Sequence, residues 1–354
     1  MKATKINNLS DKDVLALDIS TNDGCVVLSK GTVLSTDYIR KLYSFGIKEV
    51  YIEDESDYQV GIRPKVDMPQ AREITLQNYR EIFSELAKEN SLDTEKLFES
   101  TTNMISAVLS KIEDETLDIL CTVNPYFCHY THALNTAALS IFIGIKLDLS
   151  EPKLTELASA SLLHDVGMYK LPPEVLEREG SLTDEDVNVV KRHTIYGYET
   201  ADSAKTLSES VKKAILHHHE RYDGTGYPFR LKGKNIPLFS RIIAVADIFC
   251  SLTTKTKYHE GYSYIETYEY ILGSSGKYFD PDVVDIFKNH FVLYPINTNV
   301  KLSNGKSGVV IAQNPGFPDR PIIRVTRDGK GIEILPITIN LIKKTNLKID
   351  TILN

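Results

Sequence analysis

His132, His164, Asp165, His193, His218, His219 and Asp247 are the residues of this chain whose types and spacing could do chemistry. They take in five of its nine histidines. Imidazole and carboxylate are ligands of borderline divalent metals such as iron, manganese and zinc. Seven such donors exceed what one ion needs. They suit a pair of ions sharing a carboxylate, and a two-metal site is a device for hydrolysing phosphate esters. A single histidine in an apolar stretch is more often a satisfied core residue; the signal here is the company.

Helices must position these groups. Val211, Ala214, Ile215, His218 and His219 recur at steps of three and four, which predicts a helix opened by Ser208 or Ser210. On it His218 falls mid-stripe and His219 at the edge, while His217 lies roughly 120° away at 100° per residue. His164-Asp165 follows a small-residue run at 157–163 that reads as a buried helix. A charged aspartate at the end of such a helix is costly unless paired or metal-bound. His132 sits on a helix expected over 130–147. His193 is expected to end a helix opened by the capping box at Thr183, Asp184, Glu185 and Asp186. Asp247 is an acid inside the apolar run at 242–249.

The chain has 354 residues, 42% hydrophobic and 25% charged, enough for a sizeable core and two or three domains. A net charge of -7 argues against a surface that coats duplex nucleic acid. The polar start, and an apolar stretch at 137–145 only about half a span long, predict no membrane segment. Cys25, Cys121, Cys128 and Cys250 show no paired spacing, which suits a reduced, cytoplasmic protein. Residues 1–66 read as a small mixed α/β unit. In it, strands at 16–19 and 25–28 flank a turn at Asn22-Asp23-Gly24, a helix capped at 35–37 ends at Gly46, and a strand covers 49–52. Residues 67–118 read as connecting helices, and 119–294 as the helical domain holding every candidate ligand. Residues 295–354 form a small β-unit, with hairpin turns at Asn304-Gly305 and Asp328-Gly329.

The run His164-Asp165-Val166-Gly167, with the segment His218 to Pro228 (HHERYDGTGYP), closely resembles the HD-GYP phosphodiesterases, a branch of the HD metal-dependent phosphohydrolases. The likeness extends through Lys191-Arg192-His193, Leu231-Lys232-Gly233, Ile236-Pro237, Arg241-Ile242 and Val245-Ala246-Asp247, covering about 126–290. It implies a mainly α fold, an HD-type helical bundle around a binuclear metal site. It also implies hydrolysis of cyclic di-GMP to the linear dinucleotide or GMP by a metal-activated hydroxide. Carried over, His132, His164, Asp165 and Asp247 hold one ion, and Asp165 bridges to a second held by His193, His218 and His219. His164 and Asp165 are the catalytic pair. The expected metals are iron or manganese, with zinc, nickel and magnesium as further candidates. The loop at 224–228 shapes the nucleotide pocket, and the candidate substrate contacts are Lys170, Arg192, Asp223, Gly224, Gly226, Tyr227, Pro228 and Lys257. A homodimer or a signalling protein is the expected partner.

Four positions depart from the family pattern. Met168 replaces a lysine that normally meets a phosphate, with Lys170 two residues on. Thr256 replaces a phosphate-binding arginine, flanked by Lys255 and Lys257. Cys250 replaces a common aspartate. Cys128 stands where three-metal members carry a glutamate, which favours two ions over three. These changes spare the metal ligands and weaken phosphate handling, since a bidentate arginine is not replaced by lysine without penalty. The alternatives are a weak or inactive domain that binds cyclic dinucleotides as a signalling module, and an HD hydrolase for another nucleotide.

Overall fold

A computed structural model describes residues 2–11, 13–17, 19–20, 26–28, 32–44, 46–52, 68–89, 91–113, 129–176, 183–254 and 261–353. Its buried apolar side chains fall into three clusters, one near the start of the chain, one through the middle and one at the end.

In the first, strand β1 (Lys2–Lys5) precedes the short strands β2 (Ile19–Ser20) and β3 (Val26–Leu28), helix α1 (Thr36–Ser44) and strand β4 (Glu49–Ile52). β1 pairs antiparallel with β4, and β2 with β3. The Ser35 hydroxyl accepts the Tyr38 N–H at 3.4 Å, the cap expected of that residue. Leu15, Leu34, Leu42 and Val50 are buried between these elements. The expected turn at 22–24 lies outside the described residues.

The middle is helical. Helices α2 (Met68–Glu89), α3 (Thr94–Glu113), α4 (His129–Lys146) and α5 (Glu151–Leu163) are followed by a 3-10 turn at Val166–Lys170. Then come α6 (Pro173–Leu176), α7 (Asp184–Val190), α8 (His193–Ser203), α9 (Glu209–His217), α10 (Leu238–Thr253), α11 (Tyr264–Gly273) and α12 (Pro281–His290). Helix α4 is buried without a break from His132 to Gly144. A helix that is apolar nearly all round belongs at the centre of a bundle, and α4 packs against α5 and α10. On α2 the predicted stripe holds: Tyr79, Ile82 and Leu86 are buried, with Leu76 and Phe83 packed beside them. Helices α2 and α3 share a single core with the ligand-bearing helices. Tyr79 donates its hydroxyl to the Leu162 carbonyl at the end of α5. Arg72 donates to Asn135 Oδ1 on α4 at 2.9 Å. Among the described residues no helix is long and apolar enough to cross a membrane.

One helix boundary corrects the sequence reading. The capping box of Thr183 and Asp186 is present, but α7 stops at Val190 and His193 opens α8 instead of ending α7. The Arg192 N–H bonds the Val189 carbonyl three residues back, a tightening that ends α7 and turns the chain.

The last unit is a five-stranded antiparallel sheet of β5 (Asn299–Leu302), β6 (Ser307–Ala312), β7 (Ile322–Arg327), β8 (Glu333–Asn340) and β9 (Ile349–Ile352), in the order β8-β7-β6-β5-β9. Both predicted hairpins are there. The second runs further than the pattern at 332–334 suggested, and β9 was not foreseen. Only Ile349 of β9 is buried, so that strand has no apolar alternation to betray it.

Candidate active site

The ends of helices assemble the donors. His164 caps the C-terminal end of α5, and Asp165 follows with φ -97° and ψ 9°, in the bridge region where active-site residues often sit. His132 comes from α4, Asp247 from the middle of α10 and His193 from the first turn of α8. His218 caps α9 and His219 lies just beyond it, where a continuous helix was expected. His217 turns away from the others, as expected, yet it is buried too, its ring against Phe229 and its Nδ1 3.7 Å from Glu220.

Three imidazoles share one tether. His164, His193 and His218 each place Nδ1 against the carbonyl three residues earlier, of Ser161 at 2.8 Å, Val190 at 2.7 Å and Ile215 at 2.7 Å. A carbonyl only accepts, so Nδ1 carries the proton and the Nε2 lone pair points inward, the orientation of a metal-binding histidine. Nε2 of His132 lies 3.2 Å from Nε2 of His164, and Nε2 of His193 lies 3.3 Å from Nε2 of His218. Two lone pairs at such a distance repel unless a proton or a cation stands between them.

Asp165 lies between the two pairs. Its Oδ2 is 3.3 Å from His164 Nε2 and 3.9 Å from His132 Nε2. Its Oδ1 is 3.3 Å from His193 Nε2 and 3.7 Å from His218 Nε2. The donors thus form two lobes, His132 with His164 and Asp165, and Asp165 with His193, His218 and His219, the ligand atoms in each lying within 4.8 Å of one another. Asp247 adjoins the first lobe, its Oδ1 3.1 Å from His132 Nε2 and accepting from the Ser251 hydroxyl at 3.1 Å. This donor set fits a divalent cation of the borderline class.

The charges agree. Burial works against charging His164, but the neighbouring Asp165 carboxylate outweighs it and lifts the imidazole pKa to about 9. Burial would raise Asp165 and Asp247, yet both are held well below the usual carboxylate range, chiefly by His164 and His132 respectively. Burial and His218 push His219 down, and burial lowers His193 even against Asp165. The pocket therefore sets two ionised carboxylates beside the neutral imidazoles of His193 and His219, and the charge that His164 draws from Asp165 marks the same pull on a cation.

The loop beyond His219 is braced from below. The buried Glu220 carboxylate accepts the Phe229 N–H at 2.7 Å and the Leu231 N–H at 3.0 Å. Gly226 packs directly on the chain beneath it: a Cβ there would meet Arg221 N at 2.3 Å. Tyr227 consequently stacks on His219, with ring centroids 4.9 Å apart, and stays a neutral phenol because burial and then Asp165 raise its pKa. Asp223 serves the turn, accepting from Thr225 N–H at 2.9 Å and Thr225 hydroxyl at 2.7 Å. Gly224 supplies a φ of +85° and Pro228 is half-buried beside Tyr227. Glu220→Ala should lower the melting temperature by several degrees. It strands two part-buried N–H groups at the lower end of about 1–3 kcal/mol each, and in a domain of this size each kcal/mol is roughly 2–4 °C. Glu220→Gln, which keeps one acceptor, should fall between; an alanine variant melting like the parent would remove the brace from this account.

The predicted phosphate contacts are spread out. Lys170 lies over the Tyr169 ring and Arg192 over Tyr196. Met168 is partly exposed on the 3-10 turn. Cys128, Lys255, Thr256 and Lys257 lie outside the described residues. Cys250 is buried beneath Asp247, its thiol pushed up to about 12 by burial. Two cations went unpredicted. Lys191 Nζ is 5.6 Å from the Tyr227 ring centre, and the Arg221 guanidinium is 4.2 Å from that of Tyr278. Each adjoins a metal-type histidine or its motif, the one signal that could have found them.

Residues 116–283 match the HD domain, and residues 299–354 match the KOW domain associated with HD domain. This chain carries an HD domain. Cyclic di-GMP phosphodiesterase PA4108 of Pseudomonas aeruginosa is 36% identical to this chain over 185 residues, 52% of this chain and 44% of the relative. The cyclic di-GMP phosphodiesterase response regulator RpfG of Xanthomonas campestris is 35% identical over 205 residues, 57% and 53% of the two chains. The chain thus spans about half the length of these curated relatives. In fold it is similar to Bd1817, an HDG"Y"P protein of Bdellovibrio bacteriovorus, with a TM-score of 0.52, 17% identity, and coverage of 80% of this chain and 97% of that one.

Proposed function

We propose that this protein hydrolyses the phosphodiester bonds of cyclic di-GMP with two divalent metal ions, iron or manganese before zinc, nickel or magnesium. The observation that carries the reading is Asp165 dividing its two oxygens between two histidine lobes. Relatives over the same segment are named cyclic di-GMP phosphodiesterases. When bound, such ions neutralise charge on the phosphoryl group and lower the pKa of water. The chain's own part is positional. His132, His164, Asp165 and Asp247 hold one ion, and Asp165, His193, His218 and His219 the other. The backbone carbonyls behind His164, His193 and His218 keep their lone pairs aimed inward. Tyr227 covers His219 and narrows the access of water, and the loop at 224–228 bounds the nucleotide. Lys170, Lys191, Arg192 and Lys257 are the cations for its phosphates. In this reading the protein is cytoplasmic, and the units at 1–66 and 295–354, joined through 67–118 to the catalytic 119–294, meet a second copy or a signalling partner.

The test is chromatography of products after incubating iron- or manganese-loaded protein with cyclic di-GMP. The expected result is linear dinucleotide or GMP. Tight binding without product would favour the signalling module, and neither binding nor product would overturn the reading. A related expectation concerns Met168→Lys, which returns a cation to the partly exposed turn that follows Asp165. Calorimetry should show cyclic di-GMP affinity rising tenfold to a hundredfold, since a charge-assisted bond is worth roughly 1.5–3 kcal/mol. Thr256→Arg should add to it. Unchanged affinity in a folded variant would mean that the existing lysines already suffice.

A further inference from the structure

An open cleft leads away from His219 and Asp247. Ala244 and Ile248 of α10 line one side of it, and Tyr270, Tyr278 and Phe279 line another. Arg221 lines the same cleft, its guanidinium stacked on the Tyr278 ring. Two backbone bonds fix that stack: Tyr222 N–H to the Tyr278 carbonyl at 3.1 Å, and Asp223 N–H to the Lys277 carbonyl at 2.8 Å. Arg221 is exposed, and among the described residues its guanidinium makes no hydrogen bond or ion pair. The metal chemistry described above uses neither Arg221 nor Tyr270.

Aromatic and aliphatic walls accept a flat ring by stacking, whatever the base. The polar group held at the edge decides which base. A guanidinium has five N–H donors and no acceptor. Guanine offers two neighbouring acceptors, N7 and O6, whereas adenine offers the N7 acceptor beside an amino donor. Arg221 can therefore bond guanine through two N–H groups but meets adenine donor to donor. We infer that this cleft is a purine subsite, with Arg221 reading the N7/O6 edge of guanine and Tyr270 supplying a stacking wall. The inference rests on the reading that the site takes a cyclic dinucleotide, and it makes guanine the selected base at one end of that ligand. Lys277, 4.8 Å from the Tyr278 ring centre, adds positive charge nearby, so a phosphate contact by Arg221 is the competing account the test must separate.

The test is equilibrium binding of GMP and of AMP to metal-loaded protein, for the parent, Arg221→Ala and Tyr270→Ala. Both side chains are exposed, so the variants keep the core. The parent should prefer GMP by roughly tenfold or more, the discrimination of a good bidentate contact. Arg221→Ala should erase that preference by weakening GMP alone. Tyr270→Ala should weaken both nucleotides by a similar factor and leave the preference standing. No preference in the parent, or equal losses of GMP and AMP in Arg221→Ala as a phosphate contact would give, overturns the inference. Turnover of cyclic di-GMP is read separately. A guanine preference that depends on Arg221 in a protein without turnover keeps the subsite and discards the phosphodiesterase reading. Turnover with a preference indifferent to Arg221 does the reverse.

Discussion

Replacing Asp165 with alanine should strip metal from both lobes at once. Each carboxylate oxygen faces a different pair of imidazoles, at 3.3 Å from His164 and 3.3 Å from His193. Without them four Nε2 lone pairs converge with no anion between the pairs. Removing one partner of a buried charge interaction costs about 3–5 kcal/mol, so metal affinity should fall at least about a hundredfold at each lobe, and the proposed cyclic di-GMP turnover with it. Elemental analysis of protein purified without air would read the loss. In the metal-free variant the His164 pKa should also drop from about 9, because burial then acts with less opposition; NMR titration reads that shift. One ion per chain retained at full affinity would assign Asp165 to a single lobe and refute the bridge.

Gly167→Ala should be nearly as damaging without touching a ligand. A Cβ at this position would lie 2.0 Å from the His193 carbonyl oxygen and 2.4 Å from the Gly197 nitrogen, both backbone atoms of α8. Backbone has no rotamer with which to yield, so α8 must move outward, taking His193 away from Asp165. Overpacking at the upper end of its usual range costs about 3 kcal/mol, a fall in melting temperature of roughly 6–12 °C. Metal should be lost from the second lobe before the first, since only the second depends on α8. A variant with parental melting and full metal would show that α8 gives way freely and that this contact does not set the site.

The donors could be read from the sequence because their types are unusual for where they fall. Asp165 is an acid at the end of a buried small-residue run, Asp247 is one inside an apolar run, and His218-His219 close an amphipathic stripe. The motif around them then carried the HD-GYP resemblance and with it the mainly helical fold. What escaped was set by contacts between distant segments. His193 opens α8 because a three-residue turn breaks the chain after Val190, and helical periodicity runs through such a turn unchanged. Arg221 and Lys191 look like solvated surface cations until the fold sets aromatic rings beside them. Arg72, on a helix far earlier in the chain, gave no local sign that it would reach Asn135, one turn from His132. Strand β9 has one buried side chain, and pairing with β5 makes it a strand.

Helix α2 grips the first lobe at two points, through Tyr79 on the residue before Leu163 and His164, and through Arg72 beside His132. It also shares one continuous core with α4 and α5. A close-packed core has little slack to absorb a shift. Any input that favours one placement of α2 over another therefore enters the same free-energy balance as the ligands of Asp165. Linkage is reciprocal: the factor by which such an input changes metal affinity is the factor by which metal changes affinity for the input. Metal loading, in that sense, is also a message sent back along α2.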